Sequence, residues 1–306
     1  MARVTIMIPT QRRPDGLSVA ARSVFGQVGV DPAELELVIV DNDQVPSAKP
    51  VADDLARIAP FPVIYVNEKR PGVAFARNAG MARASGDLIA FLDDDEEAPP
   101  GWLAALLAAQ VRFDADVVFG PVKARAPAHI TQHRAYLERF FSREGPAEAG
   151  LLDRHYGCGD SLVRRSALPD PVAPFAVERN LIGGEDDMLF GRMGAAGKRF
   201  AWEPAAWVWE DPVPSRLNLR YTLARAFAYG QGPTSHCAAA VPPDRLGVAR
   251  WMLIGLAQGA VFGFVAGFKW LTRAADRAEW LDRAARGLGK TFWWGPFKIQ
   301  FYGRTA

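Results

Sequence analysis

Residues 85–103 read SGDLIAFLDDDEEAPPGWL. The apolar run at 88–92 follows Gly86 and is typical of a buried parallel strand. Three carboxylates at 93–95 end this run, and they repel one another unless a cation lies among them. A hard divalent ion is such a cation, and diphosphates bring one. Because open α/β sheets bind ligands at the carboxyl ends of their strands, this segment predicts a ligand site.

A solvated acidic turn is the alternative interpretation of the five carboxylates at 93–97. An EF-hand calcium loop that starts at Asp93 is excluded, because its sixth position would be Ala98 where glycine is needed. Its twelfth position would be Ala104 where glutamate is needed. The acidic run by itself therefore leaves a functional site and a solvated turn equally open.

The composition is that of a globular protein. Of the 306 residues, 49% are hydrophobic and 23% are charged, and this length accommodates one large domain or one domain with an appendage. Cys158 and Cys237 are far apart in sequence and form neither a CxxC site nor a disulfide framework, which fits a reducing cytosol. The first residues lead directly into a strand-like run, so no signal peptide is expected.

Charge is distributed unevenly along the chain. Residues 1–215 carry 23 Lys and Arg against 30 Asp and Glu, whereas residues 216–306 carry 13 against 4. An acidic body and a basic tail indicate two different kinds of partner. No nucleic-acid partner is expected.

Strand-like and helical patterns alternate through the first 120 residues. The predicted strands are at 4–8, 35–40, 62–66, 88–92 and 116–119. The predicted helices are at 17–25, 51–58, 73–84 and 102–112. This alternation predicts an α/β fold with a doubly wound, mostly parallel sheet.

Two predicted strands place carboxylates at their C-terminal ends. Asp41 and Asp43 follow the second strand, as residues 93–95 follow the fourth. Since the carboxyl ends of parallel strands meet at one edge, the two acidic groups are expected to share one crevice. The sequence has no P-loop motif, and the GCG at 157–159 has Leu162 where the dinucleotide fingerprint needs a third glycine. A diphosphate here would be held by a metal and by cations.

The second half of the chain adds another acidic group. Residues 183–192 read GGEDDMLFGR, in which two glycines precede three acids that open a helix. Compensation of the helix dipole is the alternative explanation of these acids. Three further elements are predicted: a strand at 157–165, a single strand at 199–209 and a basic helix at 216–231.

Five motifs occur in order between residues 3 and 230. They are VTIMIPT at 4–10, DND at 41–43, GVAFARNAG at 72–80, DDD at 93–95 and GED at 184–186. Their order and spacing resemble family 2 glycosyltransferases with the GT-A fold, in particular the bacterial enzymes that build exopolysaccharides and lipid-linked sugars. Each motif alone is weakly specific, whereas five in sequence are strongly specific. The resemblance implies a GT-A type sheet flanked by helices and a hexosyltransferase-like activity.

The resemblance also implies a site for a nucleotide sugar, with a UDP-sugar as the favoured donor. It places this donor against Pro9, Thr10, Arg12, Asp41, Asp43, Arg77, Asp93 and Asp94. Thr10 and the turn at 41–43 would line the base and the ribose. Arg77, in the ArN motif, would face the nucleotide or its diphosphate.

A metal site is implied by the same resemblance. The acidic triplet matches the DxD motif, with Asp93 or Asp94 near the ribose and Asp95 binding Mn²⁺ or Mg²⁺; Asp93 is a further candidate ligand. Many family members carry a histidine near the end of the domain as another contact of the metal site. Glu210 stands at that position here, and this departure from the family pattern leaves its role open.

The implied general base is Asp186, which matches the Asp of the family's ED motif, with Glu185 beside it. Inverting sugar transfer is a single displacement at the anomeric carbon, which needs one base on the acceptor hydroxyl. The metal and Arg77 would neutralise the leaving nucleoside diphosphate. A retaining mechanism would need a second carboxylate on the other face of the sugar, and the sequence leaves it open.

Residues 251–268 (WMLIGLAQGAVFGFVAGF) carry no charge. At ~1.5 Å per residue they span about 27 Å, which is marginal for a bilayer, and glycines at every fourth position would permit close helix contact. A single span would put the eight Lys and Arg of 269–306 across the membrane from the catalytic domain, against the positive-inside tendency. We therefore expect peripheral contact of 246–306 with the inner face of the cytoplasmic membrane; a buried core helix is the alternative.

The sequence thus predicts a GT-A domain at 1–232 and a basic, apolar and aromatic helical region at 233–306. The predicted function is metal-dependent, inverting transfer of a sugar from a nucleotide sugar to a hydroxyl of a glycan or lipid-linked acceptor. One alternative is a nucleotidyltransferase on a similar sheet, for which Arg12 and Arg13 are the only basic candidates after the first strand. The other is a catalytically inactive sugar-nucleotide binder or assembly partner.

Overall fold

The computed structural model of the chain describes residues 4–180 and 183–299. Over this range the chain forms two compact units. The first unit contains residues 4–123 and 142–211 without 181–182, and the second contains residues 124–141 and 212–299. The predicted division into domains between residues 232 and 233 stays a prediction.

Strands and helices alternate through the first unit. The strands are β1 (Val4–Thr10), β2 (Leu35–Asp41), β3 (Val63–Asn67), β4 (Leu88–Phe91), β5 (Glu96–Glu97), β6 (Val117–Phe119), β7 (Val122–Ala124), β8 (Gly150–Leu152), β9 (Ser161–Arg164), β10 (Phe200–Trp202) and β11 (Val208–Glu210). The helices are α1 (Pro14–Phe25), α2 (Lys49–Ile58), α3 (Val73–Met81), α4 (Trp102–Phe113), α5 (Arg134–Phe141), α6 (Glu185–Ala195), α7 (Leu219–Gly230), α8 (Gly232–Ala239), α9 (Arg245–Leu271) and α10 (Arg277–Thr291). The predicted α/β class is confirmed.

Eight of the described strands form one sheet in the order β3-β2-β1-β4-β9-β6-β10-β8. The strands β3, β2, β1 and β4 are parallel, and β9 lies antiparallel between β4 and β6. In this register Thr10 lies opposite Asp41, and Met7 lies opposite Phe91. The strands β1, β2 and β4 therefore end at one edge, which brings the acids after β2 and β4 together as predicted.

Helices cover both faces of this sheet. Leu17 of α1 and Leu106 of α4 are buried in an apolar cluster on one face. Met81 of α3 and Phe190 of α6 are buried with Met7 of β1 in a second cluster on the other face. Burying one such side chain contributes about 1.5–3 kcal/mol, so the two clusters hold the strand ends that carry the acids.

The predicted single strand at 199–209 is wrong. The chain forms β10, which joins the large sheet, and β11, which joins a small sheet in the order β5-β11-β7. Pro204 lies between them in a turn closed by the hydrogen bond from Ala206 N to Glu203 O at 3.1 Å. Proline lacks the N–H that a continuous strand would donate, which explains the break. The break carries β11 to the edge where the acidic run lies.

The second unit contains α9, which by length and composition could cross a membrane. Gly255 and Gly259 contact α10 closely: an added Cβ would lie 2.5 Å from Gly287 O and 2.8 Å from Leu288 Cδ2, respectively. The predicted close helix contact is therefore present at these two glycines. Only 17% of the most apolar 18-residue window of α9 is buried, so α9 is not a buried core helix of the described chain.

Candidate active site

Thr10 ends β1 beside the acids that follow β4. Its Oγ1 donates a hydrogen bond to Asp94 Oδ2 at 2.7 Å, and both residues are buried. Arg13, in the loop after β1, donates from Nη1 to Asp94 Oδ1 and to Asp95 Oδ2, each at 2.8 Å. Pro9 precedes Thr10 within the same strand. The end of β1 and the acidic run thus form one connected group.

The acids of the triplet face different partners. Burial raises the pKa of Asp94 to about 6, although the neighbouring Arg13 opposes this rise. Partial burial also raises the pKa of Asp93, against the opposing effect of Arg77. Both carboxyls therefore favour a site that supplies further positive charge.

Asp41 is fully buried at the end of β2. Its Oδ2 accepts hydrogen bonds from Ala48 N at 2.7 Å and from Tyr65 Oη at 2.9 Å. Its Oδ1 has no hydrogen-bond partner within the described chain. Since buried polar atoms are ordinarily hydrogen-bonded, Oδ1 is an acceptor available to an N–H group of a ligand.

Asp43 lies two residues beyond Asp41 and pairs with Arg12. Arg12 Nε lies 3.0 Å from Asp43 Oδ2, and Arg12 Nη2 lies 3.2 Å from Asp43 Oδ1. Arg12 reaches this position with a left-handed backbone, at φ 56°. Its guanidinium holds the pKa of Asp43 below the ordinary range. These two predicted residues therefore meet at the rim of the same edge.

Arg77 of α3 is buried between two acids. Its Nη1 donates to Glu185 Oε1 at 2.7 Å, and its Nη2 lies 3.4 Å from Asp93 Oδ1. Burial raises the pKa of Glu185, and Arg77 opposes that rise. Arg77 Nε has no hydrogen-bond partner in the part of the chain that the structure describes. Arg77 thus joins α6 to the acidic run and keeps one N–H for an anionic ligand.

Asp186 lies in the first turn of α6 and is partly exposed. Its Oδ2 accepts a hydrogen bond from Cys158 N at 3.1 Å, and its Oδ1 accepts one from Asp187 N at 2.9 Å. The N-cap residue Gly184 adopts a left-handed conformation at φ 81°, which glycine tolerates without strain. Two backbone N–H groups therefore orient a carboxylate that solvent still reaches.

Glu210 ends β11, where it lies opposite Glu96 of β5. Asp211 N donates to Asp95 O at 2.8 Å, so the backbone at Glu210 lies beside the acidic run. Glu96 is buried, and its Oε2 accepts a hydrogen bond from Asp93 N at 2.8 Å. Burial, with Asp93 as a neighbour, raises the pKa of Glu96 well above its ordinary value. The small sheet thus brings both glutamates to the triplet.

Within residues 4–180 and 183–299, no three His, Cys, Asp or Glu side chains are arranged to hold a metal ion. The Arg13 guanidinium nevertheless places one cation 2.8 Å from an oxygen of both Asp94 and Asp95. Carboxylate oxygens are also the ligands that Mg²⁺ and Mn²⁺ prefer. The donor chemistry of residues 93–95 therefore fits a hard divalent ion.

Sequence reasoning missed two residues that hold this edge together. Arg13 directly follows Arg12, and a second cation in the loop after β1 is the signal that points to it. Asn42 Nδ2 donates to Glu68 O at 2.9 Å and to Arg70 O at 2.7 Å. Its place inside the DND turn is the only sequence signal for that structural role.

Sequence comparison relates the chain to known proteins. The profile described as "Glycosyl transferase family 2" matches residues 5–170. The chain is 34% identical over 230 residues to the succinoglycan biosynthesis protein ExoM of Rhizobium meliloti (strain 1021), which covers 74% of this chain and 73% of that protein. It is 29% identical over 232 residues to the pre-mycofactocin glycosyltransferase of Mycobacterium tuberculosis, covering 74% of this chain and 46% of that protein.

Solved structures share the fold. The mannosyltransferase PcManGT from Pyrobaculum calidifontis, in complex with GDP-Man and Mn²⁺, superposes with a TM-score of 0.57 at 18% identity, covering 95% of this chain and 87% of that one. Residues 1–349 of S. aureus TarS superpose with a TM-score of 0.54 at 14% identity, covering 92% and 89% of the two chains. At these identities the likeness shows the fold alone.

Proposed function

The chain belongs to glycosyl transferase family 2 and is a glycosyltransferase, and from this premise we propose the reaction that it catalyses. It transfers a sugar, with inversion at the anomeric carbon, from a nucleoside-diphosphate sugar to a hydroxyl group. The donor is a UDP-sugar, the acceptor is a glycan or a lipid-linked glycan, and the reaction depends on Mn²⁺ or Mg²⁺.

One observation carries this proposal: Arg77 joins the acids after β4 to the acids that open α6. Its guanidinium contacts Asp93 and Glu185, and Asp186 is the next residue along α6. A site for a leaving diphosphate and a site for a base are thus adjacent, as a displacement at one carbon requires.

The donor is bound at the ends of β1, β2 and β4. Thr10, Asp41 and Asp43 line its nucleoside, and the free Oδ1 of Asp41 accepts a hydrogen bond from the base. Arg77 Nε faces the diphosphate. Asp95 and Asp93 would hold the divalent ion, with Glu210 as a further contact. When bound, this ion supplies charge neutralisation for the leaving diphosphate.

Asp186 is the general base. It is partly exposed, and both of its oxygens are oriented by backbone N–H groups, so it can accept the proton of an acceptor hydroxyl. Inversion follows from a single displacement, in which the deprotonated hydroxyl attacks the face of the sugar opposite the diphosphate. Glu185 remains paired with Arg77 and supports this geometry.

The second unit contacts the inner face of the cytoplasmic membrane. Apolar side chains of α9 are exposed at Leu253, Leu256, Val261, Phe264, Phe268 and Leu271. Residues 216–306 carry 13 Lys and Arg against 4 Asp and Glu, which attracts anionic lipid. An acceptor attached to a lipid would be met at that surface. Of the predicted contact region 246–306, residues 300–306 lie outside the described residues.

A thermal-shift panel tests the proposal. The ligands are UDP, GDP, UDP-glucose, UDP-galactose and GDP-mannose, each with and without Mn²⁺. We expect a UDP compound to raise the melting temperature in the presence of Mn²⁺, because a ligand that binds only the native state stabilises it. Stabilisation by a GDP compound instead would overturn the choice of donor, and equal shifts without Mn²⁺ would overturn metal dependence.

A further inference from the structure

Residues 157–160 form a loop, here called the GCGD loop, whose backbone touches two carboxylates of the proposed site. Cys158 N donates to Asp186 Oδ2 at 3.1 Å. A Cβ on Gly159 would lie 2.6 Å from Asp93 Oδ2, so only glycine allows the backbone this close. The GCGD loop therefore sets the positions of Asp186 and Asp93 relative to each other.

Arg143 holds both ends of the GCGD loop. Its Nη1 donates to Gly157 O and its Nη2 to Asp160 O, both at 2.9 Å, while its Nε donates to Gly120 O at 3.0 Å. The side chain is 15% exposed. A guanidinium presents its N–H groups in one rigid plane, whereas the single nitrogen of lysine cannot span three carbonyls. Arg143 thus ties the loop to the residue that follows β6.

Two other side chains restrain the rest of the GCGD loop. Ser161 Oγ donates to Cys158 O at 2.5 Å, and Trp102 Nε1 donates to Asp160 Oδ1 at 2.7 Å. Both act on the C-terminal side of Cys158 N. The bond from Arg143 to Gly157 O restrains its N-terminal side, directly before the N–H that contacts Asp186.

We propose that Arg143 is a positioning residue for sugar transfer, which acts through the GCGD loop to hold the Cys158 N–H on Asp186 Oδ2. This inference rests on the proposed role of Asp186 as the general base. A base works within hydrogen-bond reach of its proton, and a displacement of about 1 Å lowers a rate up to about 100-fold. The orientation of Asp186 therefore depends on a residue 43 positions earlier in the sequence.

The two cysteines of the chain allow a direct test by NMR. Protein labelled with nitrogen-15 cysteine gives one amide signal from Cys158 and one from Cys237, which serves as an internal reference. Asp186→Asn changes the acceptor of the Cys158 N–H, so it identifies the signal that reports this bond. In Arg143→Lys we expect the Cys158 amide proton to move upfield, because its hydrogen bond lengthens, while the Cys237 signal stays in place.

Arg164→Lys is the matched control for charge and side-chain type. Arg164 also donates to a backbone carbonyl, Ala115 O, at 3.3 Å, and its replacement is expected to leave the Cys158 signal unchanged. A wild-type Cys158 signal in folded Arg143→Lys would contradict the proposal. If Arg143→Lys does not fold, Ser161→Ala decides, because a loop that sets this bond must move the Cys158 signal when its second restraint is removed.

Turnover separates positioning from a general structural role. For the sugar nucleotide selected by the donor panel, Arg143→Lys is expected to lower kcat about tenfold or more and to change the affinity for UDP with Mn²⁺ less than about threefold. Equal losses of kcat and UDP affinity would refute the positioning role. An inactive Asp186→Asn with a normal Arg143→Lys refutes this inference alone, whereas wild-type turnover in Asp186→Asn refutes the proposed function.

Discussion

Arg77 Nη1 lies 2.7 Å from Glu185 Oε1, and both side chains are 6% exposed. Removing one partner of a buried ion pair leaves the other charge uncompensated, at a cost of about 3–5 kcal/mol. We therefore expect Arg77→Gln to lower the free energy of unfolding by about that amount. The double variant Arg77→Gln/Glu185→Gln should lose less than the sum of the two single variants. Urea denaturation of the three proteins measures this coupling.

The control for this prediction is the pair between Arg70 and Glu68. Arg70 Nη2 lies 2.7 Å from Glu68 Oε2, but its side chain is 66% exposed. Arg70→Gln should change the free energy of unfolding by less than about 1 kcal/mol. Strict additivity of the Arg77 and Glu185 variants would show that the buried pair does not couple α3 to α6.

Asp160 predicts a pH dependence of stability. It is fully buried, and burial raises its pKa to about 7. Because an unfolded Asp titrates near pH ~4, the native protein retains a proton at Asp160 that the unfolded chain has released between about pH 4 and 7. The free energy of unfolding therefore falls as pH rises through this range, by up to about 1.4 kcal/mol per unit from this group.

Replacing Asp160 with the neutral, similarly shaped asparagine removes this contribution. The free energy of unfolding of Asp160→Asn should fall less steeply with rising pH than that of the wild type. Urea denaturation at several values between about pH 4 and 7 measures both slopes. Equal slopes would mean that Asp160 does not retain its proton in the folded protein.

The role of Asp95 is tested by metal-dependent donor binding. Its carboxylate lies in the acidic run, and its carbonyl accepts the hydrogen bond from Asp211 N at 2.8 Å. Asp95→Ala is expected to abolish the thermal shift that UDP causes with Mn²⁺. Asp87→Ala, an exposed site just before β4, removes the same charge and should retain the shift. A full Mn²⁺-dependent shift in Asp95→Ala would remove this residue from the metal site.

Membrane contact depends on the exposed face of α9. Phe264 is 81% exposed, and inserting such a side chain into lipid contributes about 1.5–3 kcal/mol. Phe264→Asp should therefore weaken binding to vesicles containing phosphatidylglycerol about tenfold or more. Val111→Asp changes a site on α4 that is 76% exposed and should bind as the wild type does. Cosedimentation measures both, and undiminished binding of Phe264→Asp would exclude this face.

The sequence predicted those parts of the fold that local patterns specify. The strands β1, β2 and β4 are almost continuous apolar runs, each followed by proline or acids, and this pattern marks both their burial and their ends. The segment at 199–209 was predicted as one strand because its apolar and aromatic residues flank Pro204 on both sides. Which sheet each half joins depends on pairing with β5 and β6, and no local pattern encodes that pairing.

The candidate site was predicted to the extent that its acids follow strands or open a helix. Arg13 and Arg143 were not predicted to hold it, because their contacts join residues distant in sequence. Arg13 reaches Asp94 across 81 positions, and Arg143 binds backbone carbonyls, which carry no sequence signal. Such contacts follow from strand register, which only the folded structure supplies.

Asp186→Asn tests the central claim most directly. The substitution keeps the shape of the side chain and removes its capacity to accept a proton. For the donor chosen by the thermal-shift panel, we expect Asp186→Asn to bind UDP with Mn²⁺ as the wild type does and to lose turnover by about 100-fold or more. Wild-type turnover, or a loss of UDP binding as large as the loss of turnover, would contradict the assignment of Asp186 as the base.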